Sequence, residues 1–316
     1  MVSFNILDEL THRTELIKAE AKALGFSDCG ISSPAPFEQD GNFLLDWISK
    51  GMNGEMDYLE KNIEKRIDPL LIYPEAKSVL SVILNYNTNI RQKSFPHYKV
   101  SKYAFYEDYH IAIKTKLKKL LNFVKTNIEG ADGRFFVDSG PLFERAFAKR
   151  AGLGWTGKNA LLVTKKAGSF VYIGELFLNI ELNYDKPMKD HCGECDKCIQ
   201  ACPTQAIIQP RVMQATKCIS YQTIVSKSDI PVSFISKFDN WIYGCDSCQD
   251  VCPWNKVSDQ LKPGLELNHD LLNLDQNDWK NFSPEMFEKI SANSQLKEKT
   301  FERIRRNIDF IDHQGH

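Results

Sequence analysis

The stretch CGECDKCIQACP places Cys192, Cys195, Cys198 and Cys202 in the pattern C-x2-C-x2-C-x3-C-P. A second block supplies Cys218 and then CDSCQDVCP, with Cys245, Cys248 and Cys252. Of the nine cysteines, eight therefore fall between residues 192 and 252, and Cys29 stands apart. Three closely spaced thiolates can reach three irons of one cubane, and the x3-C-P step sends the fourth toward a neighbouring cluster. The expected sets are Cys192, Cys195, Cys198 and Cys252 on one [4Fe–4S] cluster, and Cys202, Cys218, Cys245 and Cys248 on the other. The second block departs from a plain ferredoxin repeat, because 26 residues separate Cys218 from Cys245. The competing reading is a pair of four-cysteine zinc sites, but zinc ribbons use two separated C-x2-C knuckles. Cys29 reads as a small buried apolar residue.

Two such clusters move single electrons, so some other part of the chain must hold the chemistry they feed. At 316 residues there is room for one large or two modest domains. The 42% hydrophobic and 26% charged content is that of an ordinary globular protein. No apolar run approaches the roughly 18–20 residues that span a bilayer. The N-terminal MVSFNILDELTHRTEL lacks the apolar core of a secretory signal, so a cytoplasmic protein with no membrane association is expected. A dense cysteine block in that setting points to metal rather than disulfides. The net charge of −1 excludes a protein that coats nucleic acid by bulk charge, while leaving room for a local basic face.

The segment LIKAEAKALGFSD sets Ile17, Ala21 and Leu24 on one helical face and stops at Gly25. Helical segments continue through NFLLDWISKG and GEMDYLEKNIEKR. SVLSVILNYN (78–87) reads as a buried strand and RFFVDSG (134–140) as a strand entering a turn. Between them, Ile113, Leu117, Leu120, Val124 and Ile128 form one stripe of a lysine-rich helix, and LFERAFAKRAG is helical again. ALLVT and FVYIGELFLNI, separated by KKAGS, carry a hairpin signal. The expected architecture is an α/β (α+β) domain over 1–183, a ferredoxin-like two-cluster domain over 184–258, and a short helical tail over 259–316.

The stretch GLGWTGKN (152–159) fits both G-x-G-x-x-G and G-x-x-x-x-G-K. Both nucleotide loops need a strand before and a helix after, and the order here is reversed; Asn159 also stands where a P-loop needs Ser or Thr. A tight turn is the better reading, one that lets bare backbone approach a ligand closely.

Taken together, VDSGPLFER (137–145), AGLGWTGKN (151–159), the eight-cysteine block, CISYQTI (218–224) and YGCDSCQDVCPWN (243–255) resemble the epoxyqueuosine reductase family. The resemblance runs from about residue 8 to 258, and more weakly through FERIRRNID. It implies a cobalamin-dependent iron–sulfur enzyme that removes the epoxide oxygen of epoxyqueuosine at the tRNA wobble position. The implied cobalamin is base-off, with no protein imidazole below cobalt. In agreement, DYHIAI has Ile113 where the D-x-H-x-x-G of cobalamin carriers requires Gly, so His110 reads as a helix-face or core residue. Asp138 matches the family's proton donor, although an Asp before Ser-Gly-Pro is also a turn former. A carboxylic acid with a raised pKa would suit that role. Corrin contacts are implied at Lys61, where the family commonly has Arg, and at Ser101, Gly154 and Ser220.

The implied partners are a tRNA with a queuosine-type anticodon and a low-potential donor such as flavodoxin or ferredoxin, acting on a monomer. For tRNA the candidates are KTKLKKLLNFVK, whose lysines also suit a solvated helix face, and Lys149, Arg150, Lys165, Lys166, Arg303, Arg305 and Arg306. Trp254 and Tyr221 are candidates for stacking on a base, or for packing beneath the clusters. The alternatives are an electron-transfer protein, and a corrinoid reductase acting on a small molecule.

Overall fold

The computed structural model describes residues 2–255 and 264–313; the expected boundary at 258 lies outside them. Its centre is a four-stranded sheet ordered β1-β2-β7-β4. These strands are β1 (Asp28–Ser32), β2 (Ser78–Asn85), β4 (Gly133–Phe136) and β7 (Val171–Leu178), and every pairing is antiparallel. The alternation of helix and strand in the sequence therefore builds an α+β sheet, not a parallel one. β2 is buried at every position because both of its faces are covered. Leu80, Val82 and Leu84 pack with Ile17 and Ala21 of α1 (Val2–Ala23) and with Ile113, Leu117, Leu120 and Val124 of α4 (Tyr109–Asn127). The intervening Val79 and Ile83 face the other way, into clusters shared with Phe147 and Ala148 of α5 (Glu144–Arg150). Period two on a strand and the stripe on α4 thus meet as expected. α1 ends where Gly25 adopts φ +84°, and Cys29 sits buried in the main core.

Two expected elements differ. The long hairpin does not form: β6 (Leu162–Val163) pairs with β5 (Trp155–Thr156), while β7 joins the central sheet. An isolated antiparallel bridge between Thr164 and Gly168 turns the chain, but beyond it β6 and β7 take different partners. The helix expected after α2 (Glu38–Ser49) is broken into a single turn, Asp57–Leu59, and α3 (Ile63–Ile67), because Asn62 between them is left-handed (φ 55°).

The cysteine-rich segment carries the short helices α6 (Lys197–Gln200), α7 (Ile219–Ile224) and α8 (Ser247–Asp250), and the ribbon β8 (Ile207–Gln209)–β9 (Val212–Met213). It is joined to the first segment by β10 (Trp241–Tyr243), which lies parallel to β3 (Lys99–Val100). The tail forms α9 (His269–Asn273), α10 (Gln276–Lys280), α11 (Pro284–Ser291) and α12 (Phe301–Asp312). Its Leu271, Trp279, Ile290, Ile304 and Ile308 enter the same core cluster as the sheet residues, so all three segments share one interior. Arg303 and Arg306 of α12 donate to the carbonyls of Ile224, Gln222 and Ser226 at and just beyond the C-terminal end of α7, where carbonyls lack intrahelical partners.

Candidate active site and cluster cavities

Helices α6 and α8 pack against each other, and the chain leaving α8 carries Cys252 back to the first cysteine block. Cys192, Cys195, Cys198 and Cys252 line one cavity, with Trp254 and residues 157–159 in its wall. Cys202, Cys218, Cys245 and Cys248 line another, closed by Ile207, Met213 and Ile219. Each cavity thus draws one thiol from the more distant block. Burial pushes the Cys245 thiol up to about 12 and raises Cys198, Cys218, Cys248 and Cys252 as well, with thiol–thiol repulsion adding to it. Four converging thiolates are sustained only beside a compensating cation, which is what the irons of a cluster provide.

Asp138 follows β4 at φ 50°, an uncommon left-handed position for a residue with a side chain. Its backbone N–H donates to Glu144 Oε1 at 2.7 Å, and the Tyr109 hydroxyl donates to its Oδ2 at 3.0 Å. His110 Nε2 stands 3.7 Å from the same oxygen, while Nδ1 lies 2.8 Å from Asp108, the N-cap of α4. Tyr109 is clamped between Tyr172 (4.2 Å, rings nearly parallel) and the imidazole (4.0 Å). The Asp138 side chain remains 65% exposed. Burial raises its pKa, but the neighbouring His110 imidazole and the hydrogen bond from Tyr109 outweigh this and hold it below the ordinary carboxylate value. For His110, burial works against the charged form, and the two aspartates reverse that and raise it. The carboxyl with raised proton affinity is Glu144, pushed to about 7 by burial and by the charge of Asp138. That corrects the expectation of a raised pKa on Asp138 itself. The reason is local: donors surround Asp138, whereas Glu144 faces another carboxylate. Beneath α5, the fully buried Glu175 accepts from Ser81 Oγ at 2.7 Å and is likewise pushed up by burial.

The other expected contacts fall into two groups. Lys61 is exposed, three residues beyond the 57% exposed Tyr58, whose carbonyl accepts from Arg66 and whose hydroxyl pKa is raised by burial and by the charge of Asp138. Ser220 is half-buried beside Cys218, and the next residue, Tyr221, accepts the Glu55 N–H at 2.8 Å. Residues 54–66 thus meet the cysteine segment at Glu55 and reach within the electrostatic influence of Asp138 at Tyr58. Ser101 and Gly154 lie inside. The Ser101 hydroxyl donates to Asp246, and a Cβ on Gly154 would meet the Val163 carbonyl at 2.1 Å. Of the stacking candidates, Tyr221 is buried and Trp254 packs edge-on to Trp155, so both fall under the packing reading. Of the basic candidates, Arg150 donates to the Ala35 and Pro36 carbonyls and Lys166 pairs with Asp28. Sequence reasoning did not place Tyr109 or Glu144 beside Asp138 and set His110 aside; the signal was present in DYH (108–110) and in the Glu of VDSGPLFER.

Residues 191–255 match the 4Fe-4S double cluster binding domain, and residues 66–139 match the family described as epoxyqueuosine reductase QueG, DUF1730. The chain is 48% identical to the epoxyqueuosine reductase of Cellulophaga algicola over 94% of its own length and 97% of that protein's. The chain belongs to the epoxyqueuosine reductase family. Solved epoxyqueuosine reductases share the fold. A Bacillus subtilis structure, described with its catalytic aspartate loop swung out of the active site, superposes with a TM-score of 0.84 at 31% identity, covering 94% of this chain and 80% of that one. An epoxyqueuosine reductase bound to an epoxyqueuosine-modified tRNA-Tyr stem loop gives 0.79 at 29% identity, with the same coverage. Within the described residues no helix is long and apolar enough to cross a membrane.

Proposed function

We propose that this chain reduces epoxyqueuosine to queuosine at the tRNA wobble position, using cobalamin and two [4Fe–4S] clusters, with Asp138 as the proton donor. The observation that carries the reading is the sorting of eight cysteines into two four-thiol cavities in a chain of this family. The tRNA substrate is the one whose modified stem loop a relative binds. Residues 54–66 touch the cysteine segment through Glu55 and Tyr221, and Tyr58 among them feels the charge of Asp138, which supports a cofactor held between the second cysteine group and the substrate. Lys61, Ser220 and Asp138 would contact cobalamin, whereas the Ser101 hydroxyl is taken up by Asp246 and Gly154 is closed over by the Val163 carbonyl.

Opening the epoxide requires electrons at carbon and a proton at the departing oxygen. Bound cobalamin would supply the electrons for the epoxide carbon, and clusters held by the two cysteine groups would supply single electrons to it. The protein's part is the proton. Tyr109 and His110 fix the Asp138 carboxyl in one orientation, and Glu144 holds its backbone in the left-handed turn. Substrate covering Asp138 would strip its water and favour its neutral, donating form. The raised His110 and Glu144 lie within reach to restore the proton. A flavodoxin or ferredoxin is the expected donor to the clusters, and a monomer the expected working form.

The test is to reconstitute the clusters anaerobically, add cobalamin, a low-potential reductant and epoxyqueuosine-containing tRNA, and analyse the nucleosides. Queuosine is expected. Unchanged epoxyqueuosine with intact clusters and bound cobalamin would refute the reading and leave a plain electron carrier or a small-molecule reductase.

A further inference from the structure

The glycine stretch 152–159 is not explained by the reaction above, yet its side chains reach both cysteine groups. Trp155 Nε1 lies 3.3 Å from Cys192 Sγ, and Asn159 Nδ2 lies 3.9 Å from Cys248 Sγ. We propose that Trp155 and Asn159 are positioning residues for electron transfer: each donates an N–H to one thiolate of a different cluster and raises that cluster's reduction potential. The inference rests on the reading that the two cavities hold clusters.

Three features of the loop support it. Trp155 is 1% exposed and held edge-on by His191 and Trp254, each 5.0 Å away, so its indole N–H has one direction to point. Asn159 is 2% exposed, and its Oδ1 accepts the Leu161 N–H at 3.3 Å, which turns the amide NH2 toward Cys248. The loop backbone is pinned as well. Gly154 is closed over by the Val163 carbonyl, and the Lys158 carbonyl accepts the Arg211 N–H at 2.9 Å from the cluster segment. A buried N–H without an acceptor costs free energy, as at Trp241 and Trp279, whereas Trp155 and Asn159 each face a sulfur that can accept.

The chemistry follows from charge. Reduction adds an electron that spreads over cluster and thiolates, and a fixed N–H dipole stabilises the reduced form more than the oxidised one. Other sulfur donors are local to the cysteine motif, such as the Ala206 N–H to Cys202 at 3.2 Å. Trp155 and Asn159 instead come from the substrate-side domain. One rigid loop of that domain thereby sets both potentials of the chain of electron carriers.

The decisive measurement is a redox titration, followed by electron paramagnetic resonance, of the reconstituted full chain and of its Trp155→Phe and Asn159→Leu variants. Each variant is expected to shift one cluster about tenfold toward the oxidised form, about 59 mV for a one-electron couple, and to leave the other cluster in place. Unshifted potentials in variants with full iron content would overturn the proposal. Should a variant fail to assemble, pulsed resonance on the reduced wild-type enzyme decides. Hyperfine coupling to an exchangeable indole proton and labelled indole nitrogen is expected, and its absence refutes the Trp155 bond. A wild-type chain that takes up no [4Fe–4S] signal would instead bring down the cluster reading on which this one stands.

Discussion

Asp138 is held by contacts that can be removed one at a time. Asp138→Asn keeps the shape and loses the proton, so turnover should fall about 10²–10⁴-fold while tRNA affinity changes little; single-turnover nucleoside analysis with a binding assay separates the two. Glu144 gives a pH signature. Its folded pKa of about 7 lies above the ordinary carboxyl value of 4.5, so the folded state binds the extra proton and stability declines as pH rises between those values. His110, also raised, adds stability below its unfolded pKa that is lost as pH climbs through the folded one. Asp138, depressed, acts oppositely and loses its contribution as pH falls through its folded pKa. Glu144→Gln should therefore flatten the decline between pH 4.5 and 7, read as the pH dependence of the thermal midpoint against wild type.

Among the elements, the tail helix α12 and the hairpin β5–β6 carry consequences that their sequences do not announce. Asn307 is fully buried and donates to the Thr223 and Ile242 carbonyls, each at 2.9 Å, tying α12 to α7 and β10. Asn307→Leu would leave both carbonyls unsatisfied and should cost roughly 2–4 kcal/mol in denaturant unfolding. In the hairpin, Gly154→Ala drives a methyl into the Val163 carbonyl. A loss of about 1–3 kcal/mol is expected, with a drop in cluster content as Trp155 is displaced. A variant as stable and as iron-rich as wild type would show that the hairpin yields without strain.

On the scale of the whole molecule, the segments that share one core are also joined by buried polar contacts. Asp246, next to Cys245 of the second cysteine group, accepts from Ser101 and from the Lys102 N–H at 2.8 Å. The exchange of Cys252 into the first cysteine group gives a direct check: Cys252→Ser should remove about half of the iron and one of two resonance signals, the signal retained being that of the group with Cys202. Thiol spacing was legible in the sequence because cubane geometry restricts it to short intervals, and so were α4 and β2, whose periodicity is set by burial on known faces. The family was legible in motifs that survive in order. The sequence did not reveal that β6 pairs backward with β5, since a strand's partner is chosen by tertiary competition and not by its own residues. Nor did it reveal that His110 and Glu144 flank Asp138, because the three meet only where α4, α5 and the end of β4 converge. What the sequence by itself determined was the inventory of chemistry: eight thiolates, an aspartate before a turn, a glycine loop. Which groups touch, and so which carboxyl keeps its proton and which N–H faces which sulfur, was decided by tertiary structure alone, because proton affinity and hydrogen bonding depend on neighbours brought from distant parts of the chain.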